Sequence, residues 1–196
     1  GGGTGLGAVT ISSAGTVDVD AALTAAALTV TTATTFDSTG FTLNTTGAAN
    51  TVGGDVNITT TGQLTTDQIT TTGGASTGVG RAAGLVALSG GDVNAGAITA
   101  TGSAAAGASG LAGGAGGAVT MTATDVSPTI TLSGNINTTG GLGDGIGVQG
   151  AGGTVTFNDP VILAASRTIT TGATAGNIIF GVDATVNGTA GTETLG

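Results

Sequence analysis

Very few side chains of this sequence could take part in acid–base, nucleophilic or metal chemistry. The 196 residues include no His and no Cys, so there is no imidazole base, no thiolate nucleophile and no zinc site of the usual ligands. The only cationic side chains are Arg81 and Arg167, against 11 acidic residues. Two cations cannot neutralise a row of phosphates, which excludes nucleic-acid binding by counterion release.

Asp18 and Asp20 are the first candidate pair for a metal ion. They alternate with Val17 and Val19, so both carboxylates are expected on one side of a strand, close enough to share Ca²⁺ with backbone carbonyls. A solvated outer face explains the same alternation and is the preferred interpretation. A second candidate is Asp144, because the segment 140–146 (GGLGDGI) resembles one unit of the calcium-binding nonapeptide repeat of secreted toxins. Asp144 comes one residue early and the unit is not repeated, so we predict no metal site and no cofactor.

Glycoside hydrolysis is the enzymatic activity to consider, since it needs only two carboxylates at a fixed separation. Asp125, Asp159 and Asp183 lie at unrelated spacings, and the sequence has no Tyr, Trp or His to position a sugar. A polysaccharide lyase would need Arg or Lys as its base. Arg81 lies in a Gly/Ala-rich stretch and Arg167 beside a short Thr-Ile-Thr strand, so both are expected in solvent. We predict that the protein is not an enzyme and has no catalytic residues.

The elements that carry these side chains are predicted to be short β-strands. Gly, Thr and Ala make up nearly three fifths of the chain, and Val, Ile, Leu and Phe alternate with Thr or Asn in short runs flanked by Gly. The clearest runs are 17–20, 27–31, 41–44, 56–59, 97–101, 119–122, 129–132, 154–157, 168–170 and 184–186. The regular recurrence of apolar residues favours a folded chain over a disordered one. No run approaches the length of a membrane-spanning helix.

A longer repeat overlies the strands. A Gly-Gly-x-Val step begins at Gly53, Gly90, Gly116 and Gly152, and each step is followed by a strand and later by a Thr-Gly pair. Gly/Ala-rich inserts that contain few large side chains occupy residues 73–84, 102–117 and 140–153. We interpret these inserts as loops that protrude from a regular body.

Such units cannot bury their narrow apolar faces singly and must stack. We predict an all-β fold, a right-handed parallel β-helix (β-solenoid) of about seven to nine coils with Gly/Ala-rich loop inserts. Residues 1–196 would form a single domain or a repeat segment of a larger chain. A β-sandwich or barrel is the alternative, although the aromatic content of 2% is low for a thick core.

The repeats resemble those of filamentous-haemagglutinin-like and autotransporter-like bacterial surface proteins. The residues that carry this resemblance are GGDVNITTTGQLTT, ALSGGDVNAGAITATG, GGAVTMTA, GNINTTGG and GGTVTFNDPVIL, within about 9–195. The resemblance implies a right-handed parallel β-helix in a large secreted or surface-anchored protein that acts in adhesion, cell-surface structure or matrix.

Ice binding is the alternative function. Thr-x-Thr begins at Thr29, Thr120, Thr122, Thr129, Thr154 and Thr168. A flat face of evenly spaced Thr on a β-helix can order water, but these starts are irregular along the sequence.

We therefore predict a structural subunit or segment of an extracellular fibre, surface layer or adhesin, assembled by end-to-end stacking of β-helical coils. The expected partner is the same chain, either as a head-to-tail polymer or as neighbouring segments, with host or matrix glycans as further partners. The predicted location is the bacterial cell surface or the extracellular space.

Overall fold

The computed structural model describes residues 5–12, 14–107, 109–174 and 176–196. This part of the chain contains sixteen β-strands and no helix. The strands are β1 Leu6–Ile11, β2 Ala14–Asp18, β3 Leu23–Asp37, β4 Thr42–Asn44, β5 Val56–Thr60, β6 Leu64–Thr70, β7 Val86–Gly90, β8 Val93–Thr99, β9 Val119–Ala123, β10 Ile130–Leu132, β11 Ile136–Asn137, β12 Val155–Phe157, β13 Val161–Leu163, β14 Ile169–Thr170, β15 Ile178–Phe180 and β16 Val186–Gly188.

The strands stack as seven coils of a parallel β-helix. Every strand pairing is parallel, and the strands inside the stack pair with strands of the coils before and after them. The first face contains β1, residues 25–30 of β3, β5, β7, β9, β12 and β15. The second face contains β2, residues 33–37 of β3, the beginnings of β6 and β8, β10, β13 and β16. The third face begins at Leu23 and continues through β4, the ends of β6 and β8, β11 and β14.

The parallel β-helix predicted from the sequence is thus confirmed, with a coil number within the predicted range. A sandwich or a meander barrel would consist mainly of antiparallel pairs.

Ladders of one apolar residue per coil fill the interior. Alternate residues of a strand point to opposite sides, so the buried set is the Val, Ile and Leu half of each run. The first face contributes two ladders: Val9, Leu28, Val56, Val86, Val119, Val155, Ile178; and Ile11, Val30, Ile58, Leu88, Met121, Phe157, Phe180. The second contributes Val17, Phe36, Leu64, Val93, Ile130, Val161 and Val186. The third contributes Leu23, Leu43, Ile69, Ile98, Ile136 and Ile169. From the second to the sixth coil all of these side chains are buried, each stabilising the stack by about 1.5–3 kcal/mol.

The Gly/Ala-rich inserts contain no strand, but they form an ordered layer of their own. In the fifth coil, two arms of the insert run side by side and are joined by N–H···O bonds of 2.7–2.9 Å at every third residue. The donors are Gly147, Gly150 and Gly153, and the acceptors are Asp144, Gly141 and Thr138. The same three-residue step joins this insert to the insert of the fourth coil, through Gly113 and Gly116 donating to Val148 and Ala151.

A three-residue step is the period of a polyproline II helix rather than of a β-strand. It brings backbone against backbone, and glycine makes the approach possible: a Cβ atom on Gly113 would overlap the carbonyl oxygen of Gly141, and one on Gly114 that of Arg81. The inserts therefore pack against one another instead of projecting separately as loops.

Candidate functional surfaces

The acidic side chains are spread over the stack and most of them cap backbone groups. Asp55, Asp92 and Asp159 each accept an N–H from another coil, at 2.8–3.0 Å. Asp125 accepts the N–H of the next residue. Asp55, Asp92 and Asp159 therefore hold the corners of neighbouring coils together. Asp125 and Asp183, the other two carboxylates considered for glycoside hydrolysis, are exposed.

The acidic pair considered for calcium, for which a solvated face was the preferred interpretation, lies on the first coil. Asp18 and Asp20 are both exposed, and Asp18 lies directly beside Asp37 of the second coil in the parallel register. The Asp37 carboxylate accepts hydrogen bonds from the N–H and hydroxyl of Thr39. Within the described residues, no group of three or more acidic side chains could hold a metal ion. Asp144 lies in the turn of its insert, where its carbonyl accepts the N–H of Gly147.

The two arginines differ from the expectation that both lie in solvent. Both side chains are partly buried. Arg167 packs over the second face, and its Nε donates to the carbonyl of Leu132 at 3.4 Å. The Nε atom of Arg81 is buried in the insert layer. Glu193 is partly exposed, and the N–H of Ala190 donating to its carboxylate holds the pKa of that carboxyl below its usual value.

Thr–Gly clasps close the segments that follow the third face in the second, third and fifth coils. The buried hydroxyls of Thr45, Thr71 and Thr138 donate to the carbonyls of Gly54, Gly84 and Gly153 at 2.6–2.8 Å, and each of these glycines returns its N–H to the carbonyl of the same Thr. The fourth coil has the backbone bond, from Gly117 to Ala100, but no hydroxyl. Sequence reasoning missed these clasps, which begin at the Thr-Thr-Gly triplets 45–47, 71–73 and 138–140, because the same triplet also occurs at 60–62 and 170–172.

The third face carries two columns of outward Thr and Asn on four successive coils, which we call the Thr/Asn array. Its members are Asn44 and Thr46, Thr70 and Thr72, Thr99 and Thr101, and Asn137 and Thr139. All are exposed or partly exposed, and none is charged. The hydroxyl oxygens of Thr72 and Thr101 are 3.5 Å apart.

This array contains two Thr-x-Thr segments that sequence reasoning missed, 70–72 and 99–101, and none of the six segments that it named. Those six segments are divided among the faces: Thr29 and Thr120 lie on the first, Thr131 on the second and Thr170 on the third. Irregular spacing along the chain therefore does not predict irregular spacing on the rod, because inserts of different length separate coils that stay in register.

Among the residues that the structure describes, the first and last coils leave their outer edges unpaired. Within this part of the chain, β1 and β2 pair with β3 only, β15 pairs with β12 only, and β16 with β13 only. The ladder residues at the last coil are exposed, at 41% for Ile178, 37% for Phe180 and 39% for Val186. The first coil borders an open cavity of about 410 Å³ lined largely by apolar side chains, among them Val9, Ile11, Val17, Val19 and Leu23.

No protein-family model, no characterised protein and no solved structure with which the chain was compared matches it. Among the described residues, no helix is long and apolar enough to cross a membrane.

Proposed function

We propose that this chain is a structural segment of a bacterial extracellular fibre, surface layer or adhesin, in which β-helical coils stack end to end. The observation that carries the proposal is the pair of end coils, whose outer edges no other described residue pairs with. Each end presents the same surface that adjacent coils inside the molecule bury against each other. A further coil on either end, from a second copy or from a neighbouring segment of a longer chain, would continue the stack.

The junction has a defined register. The outward column of the first face runs through Thr10, Thr29, Asn57, Ala87, Thr120, Thr156 and Ile179. If the stack continues, Ile179 in the last coil of one copy lies beside Thr10 in the first coil of the next copy. Phe180 of the first copy then packs on Ile11 of the second. The contact joins different surfaces of the two partners and does not close, which is the geometry of a filament.

The surface chemistry supports a durable external material. With two Lys and Arg residues in total, the chain offers trypsin-like proteases few cleavage sites. The secreted or cell-surface location, the adhesin class and glycans as partners rest on the resemblance of the repeats to those of bacterial surface proteins.

The test is disulfide trapping of the junction. The chain has no Cys, so a double variant T10C/I179C carries only the two introduced thiols. Parallel neighbours lie about 4.8 Å apart, within the Cα separation of about 4.4–6.8 Å that a disulfide spans. We expect mild oxidation to give a ladder of covalent oligomers on a non-reducing gel. Electron microscopy should show filaments with the width of a single β-helix.

The matched control is T10C/A87C, which has the same number of thiols but places the second one in the middle of the column. It should give no ladder. A T10C/I179C protein that stays monomeric at high concentration, or a control that cross-links equally well, would show that the end coils do not stack in this register.

A further inference from the structure

We propose that the Thr/Asn array is an ice-binding surface. This function is independent of end-to-end stacking, since the array lies on the second to fifth coils and uses neither end of the rod.

The array is periodic in two directions, as a surface that matches a water lattice must be. Its members repeat about every 4.8 Å along the rod. The first column lies at the strand ends and the second just beyond them, where backbone hydrogen bonds between coils continue. Two residues of extended chain separate the columns by about 6.7 Å. Ice prism faces repeat on this scale in two directions. The pairs remain in register over four coils because Leu43, Ile69, Ile98 and Ile136 form an unbroken buried ladder directly behind them.

The side chains of the array are preorganised. Thr is β-branched and stiff at χ1, so a column of Thr on a rigid sheet presents hydroxyl and methyl groups in fixed positions. The carboxamides of Asn44 and Asn137 are held as well, because each accepts the N–H of the second residue after it, at 2.9 and 3.1 Å. Little side-chain entropy is then lost when the face contacts a solid surface.

The chemistry of the array favours ordered water over a macromolecule or a sugar. The array contains no charge to pair with a charged ligand and no aromatic ring on which a sugar could stack. Alternating hydroxyls and methyls provide hydrogen-bonding groups and apolar spacers, which a water lattice can fit at each repeat.

The test measures inhibition of ice recrystallisation by the intact chain and two matched variants. Thr101→Lys places a long charged side chain in the centre of the array, whereas Thr120→Lys makes the same change at a partly exposed outward position of the first face. We expect the unmodified chain and Thr120→Lys to inhibit alike. Thr101→Lys should need about tenfold more protein, which corresponds to about 1.4 kcal/mol of lost binding free energy.

Thermal unfolding of each variant checks that the coils remain folded. If Thr101→Lys unfolds the chain, Thr101→Val replaces it, because Val keeps the shape of Thr and removes only the hydroxyl. An unmodified chain that inhibits no better than an inert protein of the same size would overturn the proposal. So would a Thr120→Lys variant that loses as much inhibition as the folded third-face variant. Disulfide trapping of the end coils is unaffected by either result, so failure here leaves the structural proposal standing.

Discussion

Replacing Thr71 by Val tests whether the Thr–Gly clasps hold the inserts to the rod. Val keeps the β-branched shape, so the change removes the hydroxyl without opening a cavity. The hydroxyl of Thr71 is fully buried and donates to the carbonyl of Gly84 at 2.8 Å. Losing such a bond costs about 0.5–1.5 kcal/mol, and leaving a buried acceptor without a donor raises the cost to about 1–3 kcal/mol.

The neighbouring residue gives the control. Thr72 is partly exposed and points outward, so Thr72→Val should change the free energy of unfolding by less than about 0.5 kcal/mol. Urea denaturation measures both changes. Hydrogen exchange of the Gly84 amide, which donates to the carbonyl of Thr71 at 2.8 Å, reports whether the insert opens locally.

The fourth coil offers the reverse experiment, because Ala100 occupies the clasp position without a hydroxyl. Ala100→Thr should stabilise the chain by up to about 1 kcal/mol if its hydroxyl reaches the carbonyl of Gly117. If Thr71→Val and Thr72→Val destabilise equally, and the Gly84 amide exchanges at the same rate in both, the clasps do not hold the inserts.

Two further predictions concern the insert layer and the core. Gly114→Ala should disorder the layer and lower the unfolding midpoint, because the added methyl would overlap a backbone oxygen of the neighbouring insert. In the control Gly78→Ala the added methyl meets no atom, so the midpoint should not change. Circular dichroism during urea denaturation measures both midpoints. Phe157→Ala should cost about 3–5 kcal/mol because this ring is fully buried, and Phe180→Ala, which truncates the exposed ring stacked on it at 5.4 Å, should cost clearly less. Equal effects within either pair would contradict the packing described.

The strands and their inward and outward sides could be predicted from the sequence. The alternation in Val56–Thr60 or Val119–Ala123 is a local property, since successive side chains of a strand point to opposite sides whatever the strand pairs with. The residues assigned inward, such as Val56 and Ile58, are buried. The polar half of the alternation does not identify every outward residue, because Thr45, Thr71 and Thr138 are buried and have hydrogen-bond partners inside the molecule.

The repeat was harder to interpret because the same Gly-Gly-x-Val motif occurs at different positions of the coil. Gly53-Gly54 ends an insert and precedes the first face, whereas Gly90-Gly91 lies at the corner between the first and second faces. Local sequence does not distinguish the two steps, since both combine glycine with a following strand.

Composition by itself determined that the chain has no imidazole and no thiol side chain, and alternation determined short strands with one apolar side. Only the tertiary structure decided which residues become neighbours: Thr72 and Thr101 meet although 29 residues separate them, and Ser103 and Gly114 hydrogen-bond inside the insert layer. Backbone pairing between coils fixes these neighbours, and an insert of any length that returns to its starting strand leaves the pairing unchanged. The Thr/Asn array, the clasps and the three-residue step of the inserts therefore appear only when the coils are stacked.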